Sequence, residues 1–251
     1  MAGEVILESQ GLSKEFKGFV AVREVNLRVR QHTIHALIGP NGAGKTTVFN
    51  LLTRFLSPSA GRIFFKGTDI TRSRPAPIAR GGMVRSFQIS AVFPHLTVLE
   101  NVRIALQRRL GNSFFFWQST RSLRALDDQA LALLEAVGLQ DQTAVNAVDL
   151  PYGRKRALEI ATTLALDPEV LLLDEPMAGL GHEDIQRISR LIRGAAANRT
   201  VLMVEHNMDV VADLSDLITV LQRGEVLAEG PYETVARDAR VLEAYVGTGH
   251  G

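Results

Sequence analysis

The chain contains no cysteine, which excludes disulfides and thiolate-ligated metal sites. It also lacks a long oily run. Apolar stretches such as Phe114–Trp117 and Val170–Leu173 fall far short of the roughly 18–20 residues needed to cross a bilayer. The opening MAGEVILESQ has an early acidic residue and no apolar signal core. These absences lead us to expect a cytoplasmic protein that reaches a membrane only through a partner. An excess of one charge is missing too. The 28 basic and 27 acidic residues leave a formal net charge of +1, so no global field favours nucleic acid. The six histidines show no metal-ligand spacing, and no short repeat or low-complexity segment is visible. What remains is a chain of 251 residues, 46% of them hydrophobic. That suits one large α/β domain with a sizeable core.

Local patterns organise the chain. Val5, Leu7 and then Val25, Leu27, Val29 alternate with polar neighbours, as half-buried strands do. Ile34–Ile38 is a compact apolar strand running into a Gly-rich loop, with a helix expected from about Gly44 to Phe55. Residues from about Thr97 to Ala165 read mainly as helix, including Leu123–Val137 with Gly138 as its C-cap and a second helix over Arg154–Leu166. Further on, Val170–Leu173 and Val201–Val204 read as strands, and Glu183–Ala195 and Met208–Leu214 as helices. Leu217–Leu221 and Glu225–Ala228 form a hairpin around Arg223-Gly224. Strands alternating with helices predict a largely parallel sheet.

Two motifs carry chemistry. The first, Gly39-Pro40-Asn41-Gly42-Ala43-Gly44-Lys45-Thr46, matches G-x-x-x-x-G-K-[ST] in full, between a strand and a helix. Its glycines let successive backbone N–H groups face one concavity, and the helix adds its positive dipole end. Lys45 is placed to reach the β- and γ-phosphates, Thr46 to ligate Mg²⁺, and Thr47 extends the nucleotide-binding run. The second motif, Leu171-Leu172-Leu173-Asp174-Glu175-Pro176, ends an apolar strand in two carboxylates. Strand ends of such sheets line ligand crevices. Asp174 is expected to hold Mg²⁺, largely through water, and Glu175 to take the proton of an attacking water.

Taken in order along the chain, these residues resemble the ABC (ATP-binding-cassette) ATPases. The resemblance implies an α/β fold with a P-loop NTPase core, its mixed and largely parallel sheet flanked by helices. To this core it adds an N-terminal antiparallel β subdomain and an inserted α-helical subdomain. It makes residues 1–251 a single domain, with 1–90 and 168–251 forming the nucleotide-binding core and 91–167 the inserted helices. It assigns ATP and Mg²⁺ as cofactors. Gln88 matches the family's lone glutamine, which contacts Mg²⁺ and water and senses the permease. His206 matches the switch histidine that touches the γ-phosphate. Phe16 stands where the family stacks an aromatic on adenine, a place that Phe19 or Val22 could also fill. The signature segment corresponds to Leu150-Pro151-Tyr152-Gly153-Arg154, so nucleotide contact there rests on Tyr152 and Gly153.

Two departures stand out. Pro151 replaces the signature serine and so removes a hydroxyl and an N–H. The loop Ala178-Gly179-Leu180-Gly181 lacks the usual aspartate. Leu-Pro-Tyr-Gly, the run Phe93–Val102 and the tail Glu243–Gly247 look like the ATPases of branched-chain amino-acid uptake, a subgroup that also serves urea, amides and aromatic acids. The resemblance implies a head-to-tail dimer with an identical or homologous ATPase, two membrane permeases, an indirect role for a periplasmic solute-binding protein, and no nucleic acid. The location is then the cytoplasmic face of the inner membrane. Ile89–Val98 reads either as the wall of a groove for a permease helix or as packing for the helical subdomain. Phe114–Trp117 reads either as core or as a partner contact. A soluble ABC ATPase acting on nucleic acid or ribosomes, and a small-molecule P-loop kinase, are the rival classes.

Overall fold

The computed structural model describes residues 3–86, 92–109 and 126–246. Gln88, Ile89–Ala91, Phe114–Trp117 and Arg121–Arg124 lie outside them. In chain order the elements are β1 (Val5–Phe16), β2 (Phe19–Arg30), β3 (Ile34–Ile38), α1 (Lys45–Leu52), β4 (Ala60–Phe65), β5 (Thr68–Asp69), α2 (Pro75–Arg80), β6 (Met83–Ser86) and α3 (Val98–Arg109). They continue with α4 (Asp127–Ala136), α5 (Tyr152–Ala165), β7 (Val170–Asp174), α6 (His182–Ala196), β8 (Thr200–Val204), α7 (Met208–Leu214), β9 (Leu217–Gln222), β10 (Glu225–Gly230), α8 (Tyr232–Val235) and α9 (Ala239–Val246). The chain divides into two compact units: Met1–Met83 with Glu169–Glu175 and Ala196–Gly251, and Val84–Pro168 with Pro176–Ala195.

The first unit holds two sheets. One is antiparallel, in the order β2-β1-β4-β5. The other runs β10-β9-β3-β8-β7, with β3 parallel to both β8 and β9, and β7 parallel to β8. All five residues of β3 are buried, as are all five of β8. Continuous apolar runs are what a parallel strand covered on both faces requires. Between the sheets lies a core that includes Leu7, Val25, Leu27, Phe49, Leu52, Ile63, Leu172 and Leu202. Phe49 on α1 is fully buried. Its burial contributes about 2–3 kcal/mol and anchors the helix that follows the Gly-rich loop.

One polar chain crosses this interior. Thr219 on β9 donates its hydroxyl to Glu229 Oε2 at 2.7 Å, so its oxygen can only accept from His35 Nε2, 2.8 Å away on β3. This fixes the Nε2–H tautomer. His35 Nδ1 is left buried without a hydrogen-bond partner, and burial pushes the imidazole down to about 4.

The second unit is helical. A capping box starts α3: Thr97 Oγ1 accepts from the Glu100 N–H at 3.2 Å, and Glu100 Oε2 accepts from the Thr97 N–H at 2.8 Å. Buried Asn101 braces the preceding loop, accepting from the Phe93 N–H and donating to the carbonyls of Phe93, Leu96 and Thr97. Phe93 and Pro94 are exposed and do not pack this unit's interior.

Element ends differ from the expectations by a few residues, for local reasons. Helix α1 stops at Leu52 instead of Phe55 because Arg54 adopts a left-handed conformation, φ 61°. Helix α5 begins at Tyr152, two residues early, because Pro151 seats its N-cap with φ −56°. Gly138 does close α4, with φ 70° and its N–H donated to the Glu135 carbonyl. The short α2 and β6 have no counterpart in the periodicity. Six residues that include Pro75 and Pro77 are too few to display a helical stripe.

Candidate functional site

The parallel order of the sheet assembles the site. The chain leaves β3 at Gly39, β7 at Asp174 and β8 at Val204. The register pairs Asp174 with Val204, so Glu175 and the segment Glu205–Asn207 emerge side by side at the carboxyl ends of neighbouring strands.

Glycine is obligatory where the loop begins. At Gly39, φ 148°, an added Cβ would stand 2.1 Å from the Leu221 carbonyl oxygen. Gly44, φ 99°, is the N-cap of α1, and a Cβ there would meet the Ala21 carbonyl at 2.8 Å. The hairpin turn Arg223-Gly224 presses on the same place. The Gly224 N–H donates to the Ala43 carbonyl at 3.0 Å, and the Gly224 carbonyl accepts from the Arg23 N–H at 2.8 Å. In the sequence that turn reads only as a turn. In the fold it buttresses the loop.

Lys45 is buried and Thr46 exposed. The Lys45 ammonium donates to the carbonyls of Gly39 at 2.7 Å and Pro40 at 3.0 Å. Burial pushes its pKa down, and the carboxylates of Glu175 and Asp174 pull it back up. One cation and two carboxylates therefore share this end of the sheet. Glu175 is held in a left-handed backbone conformation, φ 48°. Its N–H donates to the Val204 carbonyl at 2.9 Å. Strain of this kind concentrates at functional positions. Its carboxylate meets His206, with Nε2 and Oε1 2.7 Å apart.

The sequence reading missed Glu205. This residue is buried, and its Oε2 accepts the backbone N–H groups of His206 at 2.9 Å and Asn207 at 3.2 Å. Asn207 in turn caps α7, accepting from the N–H groups of Asp209 and Val210. The cue was the charged residue directly after a buried strand, beside the histidine.

The loop Gly39–Thr47 thus comes together with Asp174, Glu175 and His206. Phe16 sits in the same unit, at the exposed end of β1 and paired with Phe19 across the turn; Lys14 Nζ lies 5.0 Å from its ring centroid. Val22 is fully buried in the core and offers no face to an adenine. Tyr152 and Gly153 belong to the second unit. There Tyr152 is half exposed, with Arg156 5.7 Å over its ring, and its ring edge would stand 3.3 Å from a Cβ on Gly179. Gly153 is buried against the Asp184 carboxylate. Among the described residues no group of three or more histidine or acidic side chains could hold a metal unaided, and no helix is long and apolar enough to cross a membrane.

A strand, a Gly-rich loop and a helix, with carboxylates at the next strand ends, define a P-loop nucleoside-triphosphatase core. The comparisons narrow this. The ABC transporter family model matches residues 22–178, and a second model, the branched-chain amino acid ATP-binding cassette transporter, matches 225–251. The chain is 40% identical to the high-affinity branched-chain amino acid transport ATP-binding protein BraF of Pseudomonas aeruginosa, covering 96% of this chain and 98% of that one. It is 39% identical, with the same coverage, to the corresponding protein LivG of Escherichia coli. Among solved structures, an ATP-binding cassette of an ABC transporter in its ADP conformation superposes with a TM-score of 0.83 at 28% identity. That match spans 97% of this chain and 99% of the other. The chain belongs to the ABC transporter ATP-binding cassette family.

Proposed function

We propose that this chain is the ATP-hydrolysing subunit of an importer for branched-chain amino acids or related small solutes. The observation that carries the chemistry is the meeting of Glu175 and His206 beside the loop that holds Lys45. The solute class rests on BraF and LivG and on the match over the last strand and tail.

In this reading the loop amides and Lys45 take the β- and γ-phosphates, and Lys45 exchanges its two loop carbonyls for phosphate oxygens. Phe16 or Phe19 stacks on the base. Thr46 and Asp174 would hold Mg²⁺, with Gln88 adding a contact. One hydroxyl and one carboxylate suit this ion, which keeps several waters and completes its shell from phosphates. The bound ion would neutralise phosphate charge. Glu175 takes a proton from the attacking water as its oxygen bonds to the γ-phosphorus. The β–γ bridging P–O bond breaks, and ADP leaves with the electron pair. His206 passes from Glu175 to the γ-phosphate and stabilises the charge that develops there.

A single cradle covers one side of the nucleotide. We infer that a second ATPase, identical or homologous, supplies its Tyr152-Gly153 segment to the other side, so that ATP closes the pair and hydrolysis reopens it. The inserted helices, 91–167, carry that segment. Exposed Phe93 and Pro94 would face a permease helix, placing the subunit on the cytoplasmic face of the inner membrane, with the solute-binding protein acting through the permeases.

The test is phosphate release by the purified chain with Mg²⁺-ATP, followed by leucine uptake in proteoliposomes with its permeases. Lys45→Ala should abolish both. Phosphate release insensitive to Lys45→Ala, or recovery of the native protein with ribosomes or DNA and no membrane protein, would reject the reading.

A further inference from the structure

Helix α5 starts without a side-chain cap. Pro151 holds its N-cap position and offers no oxygen to the first-turn N–H groups. An anion reaches this place from α6 instead. Asp184, in the first turn of α6, lays its carboxylate against Gly153. A Cβ added at Gly153 would stand 2.0 Å from Asp184 Oδ2, 2.3 Å from Cγ and 2.8 Å from Oδ1. The carboxylate therefore fills the space that a side chain at Gly153 would need.

Two arginines flank the contact. Arg187, one turn along α6, donates from Nη1 to Asp184 Oδ1 at 2.8 Å. Arg154, next to Gly153, is committed elsewhere and donates to the Gly138 carbonyl that ends α4. All of these residues belong to the second unit. A carboxylate beside a helix start offsets the positive end of the helix dipole. In the reading above, the same helix start receives the phosphate of the nucleotide carried by the second ATPase. Two anions then compete for one partial positive charge, and Arg187 sets how strongly Asp184 competes.

We propose that Asp184 is a positioning residue that sets how much ATP the two ATPases need in order to pair. Its carboxylate keeps the start of α5 charge-compensated in the free subunit and gives way when the phosphate arrives. The inference rests on the paired-ATPase reading and goes beyond it, since that reading assigns Asp184 no part. Gly153 gains a second reason to lack a Cβ: it admits a carboxylate of its own chain.

The test uses the full chain with Glu175→Gln and Mg²⁺-ATP, together with the second ATPase that co-purifies with it, or with further copies of itself where none does. Sedimentation reads the ATP concentration at half-maximal pairing. Asp184→Asn keeps the shape and removes the charge, and should lower that concentration about fivefold. Arg187→Gln strips the counter-charge and should raise it by a similar factor. Both shifts should shrink as salt is raised. In Asp184→Asn the urea midpoint of the nucleotide-free chain should fall slightly, because the helix start loses its anion. Weaker folding with tighter pairing is a combination that a merely structural role does not produce. Gly153→Ala should cost stability in the wild-type chain and much less beside Asp184→Ala, where the three atoms that crowd the added methyl are gone. An unchanged or raised ATP requirement in Asp184→Asn would overturn the proposal, as would equal costs of Gly153→Ala in the two backgrounds. If the Glu175→Gln chain alone shows no ATP-dependent pairing, the paired reading and this inference fall together, and that is seen without any variant at Asp184.

Discussion

His206 Nε2 stands 2.7 Å from Glu175 Oε1 although 31 residues separate them in the chain. The pairing follows from register: β7 and β8 run parallel, Asp174 lies opposite Val204, and the Glu175 N–H is tied to the Val204 carbonyl. Two groups assigned separate tasks in hydrolysis are thus one unit before nucleotide arrives. Their effects should not add. Glu175→Gln should lower phosphate release by roughly 10²–10⁴-fold, and His206→Ala should also lower it. The double variant should be little worse than Glu175→Gln alone. Single-turnover measurements on the three variants check this; multiplicative losses would show that the residues act independently.

Gly39→Ala should fail twice. A Cβ 2.1 Å from a backbone oxygen cannot be relieved by turning a side chain. The expected loss is at least about 2 kcal/mol of folding stability, read as a lower urea midpoint, together with lost ATP affinity. Gly42→Ala, with nothing within 4 Å of the added methyl, isolates the cost of a positive φ, 77°, and should lose about 1 kcal/mol.

His35 should make the protein acid-sensitive. Folding holds its imidazole near 4, against 6.5 for the free side chain. Between these values the unfolded chain binds the proton that the folded chain refuses. Stability therefore rises with pH through this window and is complete above about 6.5. On the order of 3 kcal/mol should be lost from pH 7 down to pH 4. Urea denaturation of wild type and His35→Gln across that range measures it, and the variant should show a correspondingly shallower slope.

Asn207→Ala removes the cap of α7, whose side chain accepts from two backbone N–H groups. The cost should be about 1 kcal/mol. The same change loosens the turn that carries His206, so ATP hydrolysis should fall while ATP affinity is retained. Asn207→Asp, which keeps the cap, should restore both stability and turnover.

Much of the fold was legible from pattern. Ile34–Ile38, apolar but for His35, and Val170–Leu173, apolar throughout, both lie in buried parallel strands. Met208–Leu214 falls where expected, and the structure adds Asn207 as its cap. The β6 strand did not declare itself, since four residues ending in Arg85 and Ser86 show neither alternation nor a full apolar run. The site was legible in part for a similar reason. Gly39–Thr46 is a contiguous motif whose chemistry is local, whereas Glu205 binds the backbone of His206 and Asn207 through a side-chain fold-back that no spacing rule encodes.

The linear order of residues determined on its own that a Gly-rich turn would join a buried strand to a helix, and that two carboxylates would cap another strand. Short-range sterics and apolar periodicity act within a few residues, so they are written locally. Only the tertiary structure decided that His206 would meet Glu175 and that the 223–224 turn would brace Ala43. Those contacts depend on which strands lie side by side and in what register, and that is settled by burying the whole core at once.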